Sequence, residues 1–103
     1  MIIKLKPLSQ NEAWQGRRFK TKKYKQFEND LLYLLPPITE TDFSHLDITF
    51  GFSNVLSDID NPTKMVLDIM QKRYGFNDKE ITTLILRKEI VKKGNEFMKI
   101  IIG

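Results

Sequence analysis

Apolar and polar residues alternate most cleanly at Leu46, Ile48, Phe50 and Phe52, with Asp47, Thr49, Gly51 and Ser53 between them. A period of two puts the first set on one side of an extended chain, which predicts a strand with one buried face. Elsewhere the period is helical. Tyr24, Phe27, Leu31, Leu34 and Leu35 recur at steps of three and four, predicting an amphipathic helix over 22–35 with Thr21 as its N-cap. Pro36-Pro37 stops it. Met65, Val66, Ile69 and Met70 mark the buried side of a second helix, about 62–74, with Lys64, Asp68, Gln71 and Lys72 opposite. Asn61 would be its N-cap, Pro62 its first residue and Gly75 its stop.

The rest of the chain fills in around these elements. Residues 2–6 read as a short strand ended by Pro7, and 8–21 as a long polar loop with an extended piece around 17–20. Residues 38–44 form a polar connector. The segment 81–91 is rich in Ile, Thr, Leu and Val, with apolar residues on both faces, and so reads as a central strand. Lys92-Lys93-Gly94-Asn95 reads as a hairpin turn into a last strand over 97–102. The expected order is β, long loop, α, β, α, β, β. That is a small α/β (α+β) fold, one domain over 1–103, with a mixed sheet and two helices.

Composition narrows the chemistry. The chain has 103 residues, the size of one domain, and no apolar run long enough to cross a bilayer. Nothing in Met1–Lys4 reads as a signal peptide, so the expected location is cytoplasmic. With no cysteine, disulfides, thiolate zinc sites, iron–sulfur clusters and thiol catalysis are excluded, and one histidine, His45, rules out a multi-histidine metal site in one chain. Net charge is +4, unevenly spread. Residues 1–35 hold eight Lys/Arg against three Asp/Glu, and six of the eight fall between Arg17 and Lys25. Such a concentration suits a polyanion, most simply nucleic acid, with Arg17, Arg18, Lys20, Lys22 and Lys23 along its path. It also suits a solvated helix start.

The acidic residues carry the sharper signal. Asp58-Ile59-Asp60-Asn61-Pro62-Thr63-Lys64 stands where a strand runs out toward a helix, and Asn77-Asp78 follows that helix. Two positions apart in extended chain, Asp58 and Asp60 point the same way, with Cα atoms about 6–7 Å apart. Asp78 would add a third carboxylate if the flanking strands are neighbours. Crowded carboxylates resist ionisation together, and a divalent cation removes the conflict. Oxygen donors alone favour Mg²⁺, with Mn²⁺ as the alternative. Such an ion activates water toward a phosphodiester, and Lys64 stands ready to offset charge on the phosphate. The same residues also suit a turn in which Asp and Asn cap a helix.

Asp58-x-Asp60-Asn61-x-x-Lys64-x-x-x-Asp68, then Gly75 and Asn77-Asp78-x-x-Ile81, resembles the signature of the RusA-type Holliday junction resolvases. Pro7-Leu8-Ser9-Gln10-Asn11 and Gly16-Arg17-Arg18-Phe19-Lys20-Thr21 resemble that family's amino-terminal region, so the likeness covers nearly the whole chain. The resemblance implies a homodimeric, Mg²⁺-dependent endonuclease of bacteria or their phages that makes paired cuts in four-way DNA junctions. It assigns Asp58, Asp60 and Asp78 to the metal and Lys64 to catalysis. Asn77 departs from the Asp found in many relatives, and the chain is shorter than is typical. Two rival functions are a branched-DNA-binding module without cleavage and a nuclease for flaps or other branched DNA.

Other residues take plainer roles. Trp14 suits either base stacking or anchoring of its loop. Phe19 and Tyr24 read as packing residues, and Met65 and Met70 as core filler. His45 has no visible partner. Apolar residues of the last strand, 97–102, are a candidate dimer contact.

Overall fold

The computed structural model describes residues 1–15 and 19–103. Its core is built on the alternating segment. The strand β4 (His45–Phe52) buries Leu46, Ile48, Phe50 and Phe52 beneath two helices, α2 (Lys22–Leu34) and α3 (Thr63–Tyr74). Tyr24, Phe27 and Leu31 from α2 and Met65, Val66, Ile69 and Met70 from α3 close over that face. The expected core stripes are thus the observed ones. Thr21 caps α2, its Oγ1 accepting the Tyr24 amide at 3.2 Å. Gly75 ends α3 at φ 76°, a left-handed conformation that only glycine adopts without strain.

The start of α3 lies one residue later than expected. Pro62 occupies the N-cap itself, in helical conformation and with no side-chain cap. Successive backbone turns lead in instead: the Asn61 amide donates to the Asp58 carbonyl and the Thr63 amide to the Asp60 carbonyl.

A four-stranded mixed sheet has the order β1 (Ile2–Ile3), β6 (Phe97–Ile102), β4, β5 (Thr83–Ile90). The fold class is therefore the expected one, a single small α+β unit. Two details of topology are not. β5 is an edge strand, parallel to β4, and not a central one. Apolar residues on both its faces suggested double burial, yet Leu84, Ile85 and Ile90 are exposed. Nor do 92–95 form a hairpin. The Asn95 amide does close a turn onto the Lys92 carbonyl, but β6 pairs antiparallel with the far side of β4. The connection carries the chain across the end of β4, whose pairing potential is filled from both sides.

The expected long loop contains short pieces of structure. Gln10–Ala13 forms one helical turn, α1, and Trp14–Gln15 (β2) pairs with Phe19–Lys20 (β3). Ser9 caps the turn, its Oγ and carbonyl both accepting the Glu12 amide. Ser9-Gln10-Asn11-Glu12 has the Ser-x-x-Glu spacing of a capping box, a signal the sequence reading passed over. Among the described residues no helix is long and apolar enough to cross a membrane.

Candidate functional site

The acidic cluster divides between two turns. Asp58 and Asp60 lie in the turn after the C-terminal end of β4, and both are exposed. Asp78 opens a 3-10 turn, Asp78–Glu80, before the N-terminal end of β5. β4 and β5 run parallel, with His45 opposite Thr83 and Phe52 opposite Ile90; the Asp58–Asp60 turn leads into α3, and the Asp78 turn follows α3 and is tied back to it by Lys64 and Gln71. The strands are neighbours, as the metal reading required.

The Lys64 ammonium reaches Asp68 one turn along α3 and Asp78 in the turn that follows the helix. It lies 3.1 Å from Asp68 Oδ1 and 3.4 Å from Asp78 Oδ2. Asp68 first, and Asp78 more weakly, hold it protonated above its ordinary range, although the side chain is 62% exposed. Asp68 is thus part of the lysine's surroundings, which spacing alone left open. Gln71 fixes the other side of Asp78, its Oε1 accepting the Asp78 amide at 3.0 Å. Asn77 is a turn cap: its Oδ1 accepts the Lys79 amide while Glu80 accepts the Asn77 amide. An Asn serves that role as an Asp does, so the departure at Asn77 falls on the turn.

The donor chemistry of Asp58, Asp60 and Asp78 suits a hard cation. Among the described residues no three His, Cys, Asp or Glu side chains gather as a metal-holding group. Of the expected residues, Lys64 and Asp78 meet, with Asp68 beside them, and Asp58 and Asp60 share the turn that leads into α3.

The Asp58 turn is itself well built. Asn54 Oδ1 accepts the Leu56 amide at 2.9 Å, and the Asn54 carbonyl accepts the Ser57 amide at 3.1 Å. From β5, Lys88 Nζ donates to the Val55 carbonyl at 3.0 Å and the Ser57 carbonyl at 2.7 Å. Sequence reasoning missed Lys88, whose contacts lie 33 and 31 positions away. A cavity of about 360 Å³ opens beside this turn, lined among others by Lys6, Ser9, Asn54, Asp58 and Glu96. Glu96 is already bonded, accepting the Ser53 hydroxyl and the Gly94 amide.

The basic patch is only partly free. Arg17 and Arg18 lie outside the described residues. Lys20 is engaged with Glu28 at 3.4 Å and stands 4.8 Å over the Tyr24 ring. Lys22 and Lys23 are exposed in the first turn of α2, which holds no acidic residue. Cations at a helix N-terminus oppose its dipole, so folding gains nothing from placing them there. Trp14 packs edge-on against Tyr24, centroids 5.4 Å apart, which anchors its loop. Tyr24, Met65 and Met70 are buried as expected, whereas Phe19 is 71% exposed and is no packing residue. His45 meets Ser44 Oγ and belongs to neither turn.

No protein-family model matches this chain, and no curated protein matches it either.

Proposed function

We propose that the chain is an endodeoxyribonuclease that resolves four-way DNA junctions, with Mg²⁺ as the expected cofactor and a homodimer as its working form. The observation that carries the reading is the meeting of Lys64 with Asp78. These residues belong to separate halves of the resolvase-like motif, and their side chains touch across 14 positions of chain. A lysine kept protonated and largely exposed is suited to a phosphate beside it. Exposed Lys22 and Lys23 supply a second contact for the DNA backbone. Such a protein would act in the cytoplasm, encoded by a bacterium or its phage.

Asp58, Asp60 and Asp78 are the residues that would hold the ion. A second reading is a branched-DNA-binding protein that does not cut. Incubation of the protein with a labelled synthetic four-way junction, a fork and a linear duplex, with and without Mg²⁺, tests both. Paired Mg²⁺-dependent cuts in the junction support resolution. Selective binding without cuts supports the second reading, and cutting confined to the fork points to another nuclease.

A further inference from the structure

β5 leaves the sheet unfinished. Its one neighbour among the described strands is β4. Alternate residues of a parallel strand bond the neighbour, and here the amides of Thr83 and Val91 donate to the Ser44 and Phe52 carbonyls. Odd-numbered residues therefore face β4. The N–H and C=O groups of Leu84, Leu86, Lys88 and Ile90 point out of the sheet. Such an edge is a template for another strand unless it is short, charged, bulged or broken by proline. β5 is eight residues long and has no proline, and its first half, Thr83-Leu84-Ile85-Leu86, has no charge. Leu84 is 37% and Ile85 42% exposed.

We infer that this edge is a homodimer interface, in which two copies pair antiparallel through β5 about a twofold axis at Ile85. Directly opposed residues share a face of the sheet, so the axis passes through a residue and not between two. With the axis at Ile85, Leu84 faces the partner's Leu86, Thr83 faces the partner's Arg87, and no like charges oppose. An axis at Arg87 or Lys88 sets that cation against its own copy. An axis at Leu86 sets Ile85 against Arg87 and Leu84 against Lys88. The outward-pointing groups of Leu84 and Leu86 then bond those of the other copy, and Ile85 forms a non-hydrogen-bonded pair with itself.

Charge along the strand favours the same arrangement. Asp78 and Glu80, with Lys79 between them, precede β5, while Arg87, Lys88, Lys92 and Lys93, with Glu89 among them, lie in its second half and beyond it, so the first end is net acidic and the second net basic. Antiparallel pairing brings the acidic end of one copy to the basic end of the other, and parallel pairing sets basic on basic. At the far edge of the sheet β1 is only two residues long, so the assembly closes at two copies. The last strand, β6, lies inside the sheet between β1 and β4, so β5 is the longer free edge. None of this depends on nuclease activity.

The chain has no cysteine, so single cysteines report the register without background. In a non-hydrogen-bonded antiparallel pair the Cα atoms are about 4.5 Å apart, inside the range of about 4.4–6.8 Å that a disulfide spans. Under mild oxidation Ile85→Cys is expected to run almost wholly as a covalent dimer. Thr83→Cys, displaced from its own copy by about 13 Å along the strand, is expected to stay monomeric on a denaturing gel. Sedimentation equilibrium of the wild type is expected to give the mass of two chains, and Ile85→Lys the mass of one with an unchanged circular dichroism spectrum. If Ile85→Lys does not fold, the cysteine pair decides. A monomeric wild type at tens of micromolar, or a dimer in which Ile85→Cys crosslinks no better than Thr83→Cys, overturns the inference. A chain that cuts no junction yet crosslinks at Ile85 upholds this interface while defeating the nuclease reading.

Discussion

Lys64 Nζ lies 3.4 Å from Asp78 Oδ2, joining the first turn of α3 to the turn that opens toward β5. The pair is exposed, so it adds under about 1 kcal/mol to stability. Its worth, on the nuclease reading, lies in catalysis. Lys64→Met is expected to leave the melting temperature nearly unchanged while slowing junction cutting by about 100-fold or more. Single-turnover rates beside thermal melts check both halves.

Lys88 carries the next expectation. Its ammonium bridges the Val55 and Ser57 carbonyls and so fixes the turn that presents Asp58. Lys88→Met removes both bonds without touching the core. Amide hydrogen exchange at 54–58 is expected to accelerate, with α2 and α3 unchanged. Because small misplacements near reacting groups are costly, cutting is expected to fall by about 10- to 100-fold.

Glu28 gives a pH signature. Burial pushes its carboxyl up, but the bond from Lys72 at 2.9 Å and the charges of Lys20 and Lys72 outweigh that and hold it below its ordinary 4.5. A lowered folded value means that the carboxylate stabilises the fold above the unfolded value. That contribution is lost as pH falls through the folded value. Glu28→Gln is expected to cost about 1 kcal/mol at pH 7, and the two proteins are expected to converge in stability as pH falls below the folded value of Glu28. Urea melts across that range check the sign.

Gly51, next to the last residue of β4, makes room for Phe97 on the opposing strand. A Cβ at Gly51 would come within 2.3 Å of two Phe97 ring carbons. Gly51→Ala is expected to destabilise by about 1–3 kcal/mol through overpacking. In a Phe97→Ala background the same change is expected to cost almost nothing, a coupling that a double-mutant cycle measures directly.

What the sequence made legible was local. Leu46 to Phe52 alternate because one face is buried, and Thr21 and Gly75 mark helix ends through their own hydrogen bonding and backbone freedom. The losses are all contacts between distant segments. Thr83 to Ile90 carries apolar residues on both faces, and nothing in that run says whether a second strand lies beside it. Lys92 to Asn95 forms a turn as expected, but a turn does not name the strand that Phe97 joins. At the site, Asp58, Asp60, Lys64 and Asp78 were chosen for their spacing. Their meeting depends on β4 and β5 being neighbours, which they are, but spacing alone does not decide it. Lys88, reaching back to Ser57, left no trace in any motif.

The most direct measurement is cleavage of a labelled four-way junction by the wild type and by Asp60→Asn, with binding followed on the same DNA. The nuclease account predicts paired cuts that require Mg²⁺, their loss in Asp60→Asn, and junction binding by the variant within a few-fold of the wild type. Intact junction after prolonged incubation of the wild type with Mg²⁺ or Mn²⁺, or unimpaired cutting by Asp60→Asn, would contradict it.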